Sequence, residues 1–216
     1  MPKSLAHRLS IAATLAGLML SGCASAQAQT ILDSWTSVAI PPAPELKRAE
    51  VEAAHSALLV LDVNAEACTE AARPSCVRSL PHIAKLLADA RAHRMLVIYS
   101  TSSSAPAAPV PAQLARAPND LVVVSSADKF VGTDLEKILA ERGVKTVIVT
   151  GTTAEGAVVY TASGAALRKL AVVVPVDGYS SGGQFGELVT AWLLTNAPVS
   201  VSRNVTLTRT DMITIR

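Results

Sequence analysis

"KTVIVTGTTAEGAVVYTASGAALRKL", Lys145 to Leu170, decides the fold. "KTVIVTG" is an apolar run closed by glycine, as expected of a strand covered on both faces. "AVVYTASGAALRKL" reads as a helix whose many small residues let it lie close to a sheet. The turn between them, "TTAEG", falls where an open parallel sheet holds its ligands, outside the carboxyl ends of the strands. That turn carries two threonines and one glutamate, with no Cys, His, Ser or Lys.

The same alternation extends on both sides. Upstream, "ALLVLDV" (Ala57 to Val63), "MLVIYS" (Met95 to Ser100) and "LVVVS" (Leu121 to Ser125) read as buried strands. "LPHIAKLLADARAH" has Ile83, Leu86, Leu87 and Ala90 at helical spacing. In "GTDLEKILAERG", Thr133 and Glu136 fit a capping box, Leu135, Ile138 and Leu139 form the buried face, and Gly143 suits the C-terminal cap. "TSSSAPAAPVPAQLARAPND" is a long loop, hence functional or mobile. Downstream come a fifth strand, "AVVVPVDG", a helix, "FGELVTAWLL", and a last strand or two in "VSVSRNVTLT". Strands alternating with helices imply right-handed crossovers and an α/β, Rossmann-like, three-layer fold with a mainly parallel central sheet. The chain has 216 residues, half of them hydrophobic and only 3% aromatic, which is enough for one core filled by Val, Leu, Ile and Ala.

The first residues do not belong to that core. Lys3 and Arg8 form a basic region, "IAATLAGLML" is an apolar stretch too short to span a bilayer comfortably, and "LSGC" ends at Cys23. This matches a lipobox, with lipidation at Cys23; an ordinary secretory signal cut later, within "ASAQAQ", is the alternative. Either reading predicts export. The organisation expected is a signal peptide over 1–22, a tether and extension over 23–54, and the domain over 55–216. An acylated Cys23 would tether the protein to a membrane, facing the periplasm. By resemblance to bacterial lipoproteins, Ala24 favours the outer membrane.

Removing residues 1–22 takes away Lys3 and Arg8 and no acid, leaving 17 bases against 17 acids. No basic stripe remains, so nucleic acid is not an expected partner. Cys68 and Cys76 then stand as an even pair in an oxidising compartment, and a disulfide across "CTEAARPSC" is expected. The rival reading makes Cys68 a free nucleophile, which export disfavours. No Cys/His metal spacing, GxGxxG or P-loop occurs, so neither a metal nor a cofactor is expected.

Candidate chemistry collects at strand ends. Asp62 closes the first strand, where a carboxylate costs free energy unless it is paired; it is a site acid or base, or a structural cap. Asp128 and Lys129 follow the third strand, Glu155 the fourth, and Asp177 the fifth, where a structural turn before Gly178 is the plainer role. His55, His82 and His93 lie away from these ends, so a Ser-His-Asp triad has no evident histidine.

These residues resemble a family. "ALLVLDVN" is similar to the opening "ALLVIDMQ" strand of the isochorismatase-like cysteine hydrolases, which include nicotinamidases. "FVGTDLEKILAERGVKTVIVTGTTAEGAVVYTA" is similar to their strand–turn–helix stretch ending in "CVxxTAxxA", and "VVVPVDGYSS" to their "VVVxDAxxS" strand. The match runs from about residue 55 to 182, with the motifs in order. The resemblance implies a site of Asp, Lys and usually Cys, a small-molecule substrate and a homo-oligomer. Asp62 matches the family Asp. Counting back from Phe130 places the family Lys at Val124, and the Cys position, one after Gly156, is Ala157. Thr152, Thr153, Gly156 and Ala157 then make the pocket and oxyanion loop.

Ala157 removes acyl transfer through a thioester, because alanine has no nucleophile. Isochorismatases proper also lack the cysteine and, as the resemblance implies, cleave a vinyl ether with the Asp as acid. Lys129, five residues after Val124, could substitute for the missing lysine through a loop shift; a surface lysine is the plainer reading. Glu155 could add a second carboxylate beside Asp62, or face solvent. Two functions stay open: a non-covalent hydrolase using Asp62, or a degenerate member that binds a ligand or partner without turnover. A plain envelope interaction domain is a third.

Overall fold

The computed structural model describes residues 30–216. The expected signal segment and Cys23 lie outside the described residues. The chain divides into two compact units, the first ending at Pro41 and the second running from Pro42 to Arg216. The described part of the first unit holds a one-turn helix, α1 (Ile31–Ser34), which opens with Asp33 accepting from the Thr30 amide at 2.8 Å. No described helix is long and apolar enough to cross a membrane.

The second unit is built on a parallel sheet. In chain order its elements are β1 (Ala49–Val51), β2 (Ser56–Leu61), α2 (Pro74–Ala92), β3 (Leu96–Ser102), β4 (Leu121–Ser125), α3 (Leu135–Glu141), β5 (Thr146–Thr152), α4 (Val159–Leu167), β6 (Ala171–Pro175), β7 (Tyr179–Ser180), α5 (Gln184–Asn196), α6 (Ser200–Asn204), β8 (Val205–Thr208) and β9 (Ile213–Ile215). The main sheet has the order β4-β3-β2-β5-β6-β8, with β7 added to the end of β5. Every pairing in it is parallel. Side chains of β2 alternate between two cores: Ala57, Leu59 and Leu61 face the one that includes α3, α4 and α5, while Leu58 and Val60 face α2. Burial on both faces explains why "ALLVL" is an unbroken apolar run.

From β2 the chain winds outward through β3 and β4, and from β5 it winds the other way through β6 and β8. The winding reverses between β2 and β5, so a crevice opens beyond their carboxyl ends. Asp62 follows β2, and Thr152 ends β5. The topology therefore delivers the "TTAEG" turn and the first-strand aspartate to one place.

Several local expectations change. The domain begins earlier than residue 55, because β1 pairs in parallel with β9 and Ala53 donates to the carbonyl of Arg216 at 2.7 Å. Helix α2 starts at Pro74, which needs no amide partner in a first turn, and continues through Pro81. The capping box at Thr133 does not form: Asp134 occupies the cap position, Thr133 Oγ1 donates to the Lys129 carbonyl at 2.5 Å, and Glu136 pairs with Arg168 at 2.7 Å. Part of "VSVSRNVTLT" is helix α6, closed by Asn204 Nδ2 donating to the Ser200 carbonyl at 2.7 Å. Gly143 does adopt the left-handed cap conformation, with φ of 65°.

Candidate functional site

Asp62 leaves β2 in the left-handed region, with φ of 51°, which asparagine and aspartate tolerate better than most residues. Its amide turns back to Ser100, at 3.2 Å from both the carbonyl oxygen and Oγ. Its carboxylate is held at both oxygens: Ser100 Oγ donates to Oδ1 at 2.6 Å, and Lys129 Nζ donates to Oδ2 at 2.7 Å.

Lys129 is completely buried. A buried ammonium is tolerated only when its three protons find acceptors. Here they do, in Asp62, the Ser125 carbonyl at 3.3 Å and the Ser126 carbonyl. The backbone that carries it is fixed from a distant element, since its amide donates to Thr161 Oγ1 on α4 at 3.2 Å. The surface reading of Lys129 is thus replaced by a buried ion pair. Val124 is not a cleft residue: it sits in β4 at register with Thr101, with 46% of its surface exposed. The ammonium comes instead from the connection after β4, which folds Lys129 back beneath Asp62.

Around Asp62 lies a cleft of ≈ 610 Å³. Thr152, Thr153, Gly156 and Ala157 line it from the β5 side, Ser100 to Ser102 line it from the end of β3, and Ser103 to Ala105 from the long loop that follows. The Thr152–Thr153 peptide is cis. Residues 154–158 make a wide π-type turn, in which Gly156 takes φ of −115° and ψ of −107°. A Cβ on Gly156 would stand 2.6 Å from Thr153 Oγ1, which keeps this position small. The amides of Gly156 and Val158 both donate to the Thr153 carbonyl, at 3.1 and 3.2 Å. Those two N–H groups are therefore spent within the turn.

Glu155 does not join Asp62. It is exposed, and its carboxylate accepts from Ser181 Oγ at 2.7 and 2.6 Å. Asp177 is structural, accepting from the Thr210 amide and hydroxyl at 2.8 Å each. The described histidines stay away from the cleft: His55 contacts the Gly143 carbonyl, His82 lies 3.5 Å from Asp177, and His93 contacts the Asp89 carbonyl. Among the described residues, no cluster of His, Cys, Asp and Glu could hold a metal. Cys68 and Cys76 form a disulfide, with S–S at 2.03 Å. Among the cleft residues that escape the sequence reading are Ser100, which holds Asp62, and Arg73, which holds Thr152. Ser100 ends the "MLVIYS" run and so carried a strand-end signal; Arg73 lies between the two cysteines.

A family model described as the isochorismatase domain matches residues 56–197. No curated protein matches the chain significantly. Solved structures share the fold. An isochorismatase family protein from Desulfovibrio vulgaris superposes with a TM-score of 0.65 at 22% identity, covering 73% of this chain and 95% of that one. A cysteine hydrolase from Pseudomonas syringae gives 0.65 at 22% identity, covering 78% and 94%. A nicotinamidase from Staphylococcus aureus gives 0.64 at 18% identity, covering 72% and 99%. With a matched model spanning most of the domain and the same parallel sheet in its neighbours, the chain belongs to the isochorismatase family of hydrolases.

Proposed function

We propose that the protein hydrolyses a small molecule in the bacterial cell envelope by acid–base catalysis through Asp62, without a covalent intermediate. The observation that carries this reading is the Asp62–Lys129 pair at the floor of an open cleft. Lys129 fixes one carboxylate oxygen and Ser100 the other. Each oxygen keeps a further lone pair, and the Asp62 side chain remains 16% exposed, so it can exchange a proton with a reactant in the cleft. On the resemblance, Ala157 stands at the position where the cysteine hydrolases carry their nucleophile, and with a methyl group there the nucleophile in this proposal is water. Water adds across the scissile bond, one proton passes to Asp62, and the leaving group recovers it.

Purified protein assayed against a panel of amides and vinyl ethers tests this. Asp62→Asn should abolish turnover while keeping the fold. Turnover that survives Asp62→Asn would remove Asp62 from the mechanism.

A second reading is favoured by one observation: neither Ala157 nor the Ser181-bound Glu155 supplies a second reactive group beside Asp62. On that reading the cleft binds its ligand without turnover. A compound that raises the melting temperature yet is recovered unchanged selects it. Export and anchoring through Cys23 belong to the proposal as well. Mass spectrometry of the mature N-terminus should find an acylated Cys23; an unmodified start near Gln27 would reject the anchor.

A further inference from the structure

We propose that Arg73 is the anion-recognition residue of this cleft and that the ligand is a small aliphatic carboxylate. The inference rests on reading the cleft as a small-molecule site and adds the ligand's class. Arg73 lines the cleft alongside Asp62. Its Nη1 donates to Thr152 Oγ1 at 2.5 Å, anchoring the guanidinium on the end of β5. That contact uses one of the five N–H donors of an arginine. Among the described residues no carboxylate forms an ion pair with it.

The charge balance of the cleft follows. Asp62 is neutralised by Lys129 directly behind it. Arg73 is the other charged residue of the lining, and its charge is left over. A partly enclosed cation with free donors in a fork suits a carboxylate, which can take two parallel hydrogen bonds. The rest of the lining narrows the class. Among the described residues it consists of Ser, Thr, Ala, Asn, Val and Gly, with no aromatic side chain to stack on a flat ring. The ligand is therefore polar and aliphatic. With its carboxylate at Arg73, its reacting bond is directed toward Asp62.

The Arg73 backbone is held for this task. Its amide donates to the Thr69 carbonyl at 2.8 Å, and its own carbonyl accepts from Cys76 at 3.0 Å. The Cys68–Cys76 disulfide closes the loop that contains it, and Pro74, the next residue, restricts the Arg73 backbone.

Saturation-transfer NMR on the purified protein tests the idea independently of turnover. The probes are propionate and succinate, set against the neutral propionamide and succinamide. The carboxylates should bind at least about tenfold more tightly than the amides, as expected for a charge-assisted hydrogen bond. Arg73→Gln should bring the carboxylates down to the amide level, and Arg73→Lys should restore part of the preference. If Arg73→Gln does not fold, Arg73→Lys carries the test and must still prefer carboxylates. Equal binding of carboxylates and amides overturns the proposal, as does undiminished carboxylate binding by folded Arg73→Gln, or no binding of either class by the wild type. Asp62→Asn separates this inference from the hydrolase reading, because it should lose turnover and keep carboxylate binding.

Discussion

Lys129 Nζ lies 2.7 Å from Asp62 Oδ2, and the two partners differ in their access to water: the lysine side chain is 0% exposed and the aspartate 16%. Breaking the pair should therefore be asymmetric. Asp62→Ala leaves an enclosed ammonium without its counter-ion, a change that costs about 3–5 kcal/mol for a buried pair. It also places alanine at a positive φ. Lys129→Met strands a carboxylate that still has Ser100 and the open cleft, so about 1–3 kcal/mol is expected. Urea unfolding of the two variants checks the order. Equal losses would mean that the lysine is not as enclosed as its burial indicates.

Gly151 faces Leu61 across the β2–β5 ladder, one residue before Asp62. Its φ is 126°, and a Cβ there would stand 2.0 Å from the Leu61 carbonyl oxygen. Backbone on a central strand cannot move aside, so Gly151→Ala should destabilise by more than about 3 kcal/mol. Any folded fraction should show Asp62 displaced, because the clash pushes on the residue that carries it. A neutral Gly151→Ala variant, with the same urea midpoint as the wild type, would show that β2 and β5 approach less closely.

The fold was legible because the main strands announce themselves: "ALLVLDV" and "KTVIVTG" are apolar on both faces, and only a sheet covered on both sides needs that. Asp62 was legible for the converse reason, a charge closing such a run. The rest of the site was not. Lys129 meets Asp62 across 67 residues, Arg73 meets Thr152 across 79, and Ser100 meets Asp62 across 38. Counting along the family pattern puts the lysine at Val124 because spacing says nothing about a connection that doubles back. That path is set by Thr161 on α4, which holds the Lys129 amide. Strand β1 falls in the stretch whose sequence reads as tether for the same reason: its partner, β9, lies at the other end of the domain.

The disulfide ties Thr69 to Ser75 into a closed loop beside the cleft, with a sequence separation of 8 between its cysteines. Constraining a loop of this length in the unfolded chain is worth about 2.5 kcal/mol. A Cys68→Ala/Cys76→Ala double variant should lose roughly that amount in urea unfolding. Because Arg73 lies inside the loop, the same variant should also bind propionate less tightly than the wild type. Loss of stability with unchanged propionate binding would show that the backbone contacts to Thr69 and Cys76 suffice to hold Arg73.

Tyr99 gives the protein a sensitivity to alkali. Its ring is buried beneath α2, and its hydroxyl donates to the Leu114 carbonyl at 2.9 Å. Burial pushes its pKa up to about 12 from an ordinary 10.0, while Arg91 and Arg116 pull against that rise and Asp120 adds to it. The folded state thus prefers the protonated phenol more strongly than the unfolded state does. The stabilisation from this group is fully present below about pH 10 and is lost as the pH rises from there through about 12. Tyr179, pushed up by burial and by Glu187, acts in the same direction. Urea midpoints should fall above about pH 10, and Tyr99→Phe should flatten part of that fall, since phenylalanine has no proton to lose. It should do so at the cost of the hydrogen bond to Leu114, so the variant starts from a lower midpoint at neutral pH. An identical alkaline slope in wild type and Tyr99→Phe would assign the loss to Tyr179 and leave Tyr99 without a part in it.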